Sequence, residues 1–244
     1  AFSLVWVLFQ QFELSYMWLY TLGGGVAVVI VFYCWQSFPL FPEKVTQTKK
    51  IILRKRYWLY YALQFMSGAR RQIFVVFAGF LMVEKFEFTV AEISMLLIAN
   101  AAINVVLAPK IGRLIQKFGE RKSLIFEYIG LSLIFAGYAF VESSEFAVFL
   151  YIADHLFFSI AIALKTYFQK IADPADIASS SGVSFTINHI AAVFIPVAFG
   201  LVWLYSPSLV FLAGSAMAIV SLILALNMPS KPALGNEVLI GKFS

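Results

Sequence analysis

Charge is what this sequence has least of. Only 13% of its 244 residues are Asp, Glu, Lys or Arg, against about a quarter in ordinary soluble domains, while 61% are apolar. So few polar groups cannot coat a globule in water, which excludes a soluble fold. A nucleic-acid-binding domain is excluded with it, despite the formal net charge of +5. The apolar excess also excludes intrinsic disorder. A single cysteine, Cys34, set inside an apolar run, excludes a disulfide scaffold. No stretch between apolar runs is long enough to bury a core of its own, so a soluble catalytic domain is not expected, and neither is enzymatic activity. Gly23, Gly24 and Gly25 lack the flanking Lys and Ser/Thr of a phosphate-binding loop, so no nucleotide site is read there. No metal site and no cofactor are expected.

What the sequence does have is long apolar runs. A bilayer core of about 30 Å takes roughly 20 apolar helical residues to cross. Runs of that kind, bounded by charges, Gly, Pro or polar clusters, lie at 16–38, 57–83, 90–111, 123–141, 146–168, 180–204 and 208–228. They make seven spans of an all-α polytopic membrane protein. The chain also opens inside an apolar stretch, 1–9, which reads as the tail of an eighth span in a fragment of a longer protein.

Basic residues resist translocation and so mark the cytoplasmic side. Lys44, Lys49, Lys50, Arg54, Lys55 and Arg56 precede the second full span. Lys110, Arg113, Lys117, Arg121 and Lys122 lie around the connection after the third, Lys165 and Lys170 near the next connection on that side, and Lys231 and Lys242 in the tail. If the seven spans alternate, all of these fall on one side. Lys85 stands alone on the other, among Glu84, Glu87, Glu92, Glu142 and Glu145. The pattern expects a cytoplasmic C-terminus in the cytoplasmic membrane. It divides the chain into a leading part at 1–38, a basic linker at 39–56, a six-span block at 57–228 and a tail at 229–244.

Within the six-span block, from Gly112 to Lys122, the sequence reads GRLIQKFGERK. Two glycines suit a tight reversal of direction, and the cations suit lipid headgroups. This segment resembles the cytoplasmic loop signature of the major facilitator superfamily, G-x-x-x-D-R/K-x-G-x-R/K-R/K. Gly112, Lys117, Gly119, Arg121 and Lys122 match, and Gln116 stands where the family has an acid. The resemblance implies that 57–228 is the C-terminal half of a twelve-helix transporter. On that reading 1–38 holds the end of helix five and all of helix six, and the rest of the N-terminal half is missing.

Ionisable groups inside spans cost about 2.5–3.5 kcal/mol each at the bilayer centre and usually face a bundle interior or a wet cavity. Arg70 and Arg71 divide their run into two parts, neither long enough to cross alone, so the pair sits near the midplane. Gln64, Ser67, Gly68 and Arg71 share a helical face, and Arg70 points about 100° away. A guanidinium at that depth suits a carboxylate or phosphate on a substrate, so Arg71, Arg70 and Gln64 are candidate ligands. Asn100 and Asn104, one turn apart, are further candidates, and interhelical hydrogen bonding is the alternative. Asp154, His155 and His189 are candidates for carrying a proton. Lys165 reads as a snorkelling anchor, Glu127 as a partner of the basic loop, and Pro196 as a kink in its helix. The function expected is secondary active transport of a small solute through the lipid bilayer, with an anionic solute and coupling to protons as its finer expectations. The alternatives are a non-transporting assembly or receptor protein that reuses the fold, and an electron-transfer subunit holding haem between His155 and His189.

Overall fold

The computed structural model describes residues 16–38, 46, 48 and 50–242. The chain divides into two compact units, 1–46 and 47–244. In the first, helix α1 (Tyr16–Ser37) is a single apolar helix of 22 residues that runs through the glycine triplet. At 1.5 Å per residue it is about 33 Å long, enough to cross a bilayer core. The stretch 1–9, expected to end an eighth span, lies outside the described residues, as do Lys44 and Lys49 of the linker.

The second unit is a bundle of six rods, each long and apolar enough to span a membrane. The first joins α2 (Trp58–Gln72), a π-helical segment (Ile73–Ala78) and α3 (Gly79–Phe86). Then come α4 (Val90–Phe118) and α5 (Glu120–Ala139). The fourth rod joins α6 (Ser144–Phe158), a 3₁₀ turn (Ser159–Ala161) and α7 (Ile162–Ile171). Helices α8 (Ile177–Trp203) and α9 (Pro207–Leu226) complete the bundle. All seven expected spans are present, and several of their helices overrun the apolar runs, most of all α4, which continues from 111 to Phe118. Thr89 and Glu92 form a reciprocal capping box before α4, the Ser143 hydroxyl caps α6, and Pro207 opens α9.

One sequence-based expectation needs correction here. Only Gly119 makes the reversal between α4 and α5; Gly112 is an ordinary residue inside α4. Gly119 has φ +83° and ψ 163°, a region open in practice only to glycine. The tail, for its part, is folded against the bundle. Met228 and Val238 are buried, Tyr167 donates its hydroxyl to the Glu237 carbonyl, and Trp58 Nε1 donates to the Gly241 carbonyl at 3.0 Å.

Side chains stitch the two ends of the bundle. At the basic end, Arg54 donates through Nε and Nη2 to the Asp176 carboxylate at 2.7 and 2.8 Å, which holds the Arg54 guanidinium above its usual pKa. Tyr57 bridges Asp176 and the Asp173 amide, Lys170 pairs with the buried Glu120 at 2.6 Å, and Arg121 donates to the Leu226 carbonyl at 2.9 Å. At the acidic end, Lys85 donates to the Val141 carbonyl at 2.6 Å and Trp203 to Glu84 at 2.8 Å. The connections that the charge pattern assigned to one side therefore do meet at one end.

The core is in two apolar layers. One, toward the acidic end, is built on Ile73, Phe74, Leu131, Phe135, Tyr151 and Phe211. The other, toward the basic end, is built on Leu59, Leu63, Leu124, Tyr128, Leu164 and Tyr167. Asp154 falls between the two in sequence on its rod, Arg70 directly follows Ala69 of the first, and Glu127 lies between Leu124 and Tyr128 of the second.

Candidate functional site

Two polar features lie at mid-depth, one open and one sealed. The open one is a groove of about 490 Å³ bounded by α2, the fourth rod and α8. From α2 it takes Gln64, Ser67, Gly68, Arg71 and Gln72, the face expected from their three- and four-residue spacing. The fourth rod contributes Phe158, Ala161 and Lys165, and α8 contributes Asn188, His189 and Ala192.

Arg71 is halfway along the 32-residue first rod, with its guanidinium 5.3 Å from the centre of the Phe158 ring. Neither Arg71 nor Lys165 has an ion-pair or hydrogen-bond partner among the described residues. Lys165, read from sequence as an anchor, instead lines the same groove as Arg71. His189 bonds through Nδ1 to the Phe185 carbonyl at 2.8 Å and stacks near the Phe185 ring, which leaves Nε2 free of that contact. Pro196 has no N–H to donate to the carbonyl four residues earlier, which belongs to the groove residue Ala192. Helices α2 and α8 approach closely here because residue 68 is glycine: a Cβ there would stand 2.5 Å from Asn188 Oδ1.

The sealed feature is the polar layer between the apolar halves of the core. Arg70 is 1% exposed, Glu127 0%, Asp154 1% and Asn100 2%. The Arg70 guanidinium lies over the Tyr128 ring, 4.6 Å from its centre, and its Nε donates to the Met66 carbonyl at 3.2 Å. Its terminal nitrogens have no hydrogen-bond partner among the described residues. Nor do the four carboxyl oxygens of Glu127 and Asp154, the Asn100 amide or the Tyr138 hydroxyl. Arg70 interacts electrostatically with both carboxyls, and the carboxyls with each other. Buried polar groups are ordinarily paired, so a layer this rich in unpartnered atoms is exceptional.

The candidates from sequence thus separate. Arg71, Gln64 and His189 line the groove. Arg70, Asn100 and Asp154 are sealed inside the bundle. Asn104 is half-buried and accepts weakly from Ser159 at 3.4 Å. His155 faces Phe74, with ring centres 6.4 Å apart, and does not share a cavity with His189. Glu127 does not partner the basic loop. It turns inward toward Arg70, and the signal for it in the sequence was a carboxylate in a span, the same as for Asp154. In the loop signature, Gln116, Lys117 and Lys122 are exposed, and the nearby acid that does form an ion pair is Glu120.

A family model described as Major Facilitator Superfamily matches residues 4–196 and, in a second alignment, residues 60–239. No curated protein and no solved structure gave a match.

Proposed function

The chain belongs to the major facilitator superfamily, and from that premise we propose that it carries a small anionic solute by secondary active transport. The observation that supports this reading is the groove with two cations unpaired among the described residues, Arg71 at mid-depth and Lys165 six residues from the end of its rod, in a membrane-spanning bundle. A cation in hydrocarbon without a partner is costly, so an arrangement that keeps two of them open to a wet groove favours a ligand of opposite charge. Arg71 offers a planar fork for a carboxylate or phosphate, Lys165 a point charge, and Gln64, Asn188 and His189 neutral hydrogen-bonding groups around them.

An open polar groove cannot face lipid. On this reading a second six-helix half of the same protein covers it, and the two halves rock about the site to expose it to either side in turn. The basic end, with Lys122 and the linker cations, then faces the cytoplasm. Coupling to protons runs through Asp154 or His189, the buried carboxylate and the groove imidazole. No enzymatic step enters this reading.

The test is uptake by proteoliposomes holding the full-length protein, against a panel of small radiolabelled mono- and dicarboxylates and organic phosphates. Arg71→Gln is expected to lower uptake of the accepted anion about 10- to 100-fold, the worth of one charge-assisted hydrogen-bonding pair. Arg71→Lys should retain part of it. Uptake that is indifferent to both substitutions would remove the anion from the proposal.

A further inference from the structure

Arg70, Glu127 and Asp154 gather two carboxyls and one guanidinium in a place that the groove does not reach. All three are sealed within the six-rod unit, so no covering half contributes to their burial. A guanidinium keeps its charge in any protein environment. With both carboxyls ionised, the layer carries one negative charge in excess.

Among the described residues nothing nearby offsets it. The other titratable groups facing the layer are Tyr128 and Tyr138 of α5 and Tyr151 of α6, none of which is cationic. Arg71 is turned into the groove, and His155 has its ring against Phe74. Among the described residues no group of three His, Cys, Asp or Glu side chains is assembled to hold a metal ion. Two like charges in a shared buried site cannot both persist at neutral pH.

We propose that the Glu127 and Asp154 carboxyls hold one exchangeable proton between them, resting on one or the other with no hydrogen bond joining the two, beside Arg70, so that the proton site of this protein is a carboxyl pair inside the bundle and not a group in the groove. Its use as the coupling ion rests on the transporter reading above; its occupancy does not. The link to the groove is covalent and short, since Arg70 and Arg71 are successive residues on α2. The π-helical segment Ile73–Ala78 begins two residues beyond Arg71. Such segments are rare and recur at functional positions. A movement of Arg71 toward an anion displaces Arg70 as well, and with it the positive charge that leaves the pair needing only one proton.

The test is infrared difference spectroscopy of the full-length protein in nanodiscs, titrated through neutral pH, with the proton itself as the probe. One carboxylic C=O band per chain is expected in the wild type, discharged reversibly as pH rises. Glu127→Gln and Asp154→Asn should each abolish it, because one carboxylate and Arg70 are already neutral together. Arg70→Gln should double it. Wild-type protein labelled with ¹³C at Asp or at Glu carries the same test without any substitution, and both labels should shift the band. The proposal is overturned by a wild type with no such band, by a band untouched by either label, or by one that sodium chloride discharges at constant pH where choline chloride does not. A protein that moved no solute would sink the transporter reading and leave this titration standing.

Discussion

At position 68 a single hydrogen sets how near two helices come. A methyl group built there meets Asn188 Oδ1 at 2.5 Å and Asn188 Cα at 3.5 Å. The first contact forces the Asn188 amide to swing aside from the groove, and the second is ordinary van der Waals contact. Gly68→Ala is therefore expected to cost about 1–3 kcal/mol and to weaken uptake of whatever the groove binds. Melting of the detergent-solubilised protein, followed beside uptake, reads both effects, and an unchanged value of each would show that Asn188 yields freely. Residues 70 and 71 make a related point. Their side chains diverge by about 100°, so neighbours in sequence serve different compartments: Arg71 the open groove and Arg70 the sealed layer.

Among the elements, the turn between α4 and α5 offers the sharpest contrast. Both glycines of the loop signature looked equally suited to a reversal, yet only Gly119 has a positive φ, while Gly112 is helical with open space around it. Gly119→Ala should destabilise by about 1–3 kcal/mol. Gly112→Ala should be neutral or stabilise by up to about 1 kcal/mol, because alanine is the better helix former. Thermal unfolding of the two variants side by side decides the matter, and equal losses would mean that α4 ends earlier than described. The spans themselves were legible because hydrocarbon thickness imposes a length, and the gathering of connections at one end because cations cluster there. Face assignment was legible on α2, where Gln64, Ser67, Gly68 and Arg71 follow helical spacing into the groove. It failed for Lys165 and Glu127. In a membrane span, lipid-facing and protein-facing positions are alike apolar, so periodicity does not say which side of a helix is inside. Nearness to a helix end misled for both residues.

Over the whole six-rod unit, the tail is the part that composition described least well. Its sequence marked only a segment after the last span, whereas Val238 is buried and the Glu237 carbonyl accepts from Tyr167. One backbone bond and three side-chain bonds support the fold-back: Leu239 N donates to the Asn227 carbonyl at 2.9 Å, and the Asn227 amide holds Ile240 at 2.7 and 3.0 Å while Tyr167 holds residue 237. Combining Val238→Ala with Tyr167→Phe should cost about 2 kcal/mol, from lost apolar burial and one unsatisfied carbonyl. That corresponds to a melting temperature lower by roughly 4–8 °C. A double variant that melts with the wild type would return the tail to the status of an appendage. The bond from the Trp58 indole to Gly241 joins the start of the first rod to residues beyond the last. The six rods thereby form a loop clasped shut at one point, and a tug on the linker is shared between the opening and closing segments instead of peeling α2 away from its neighbours.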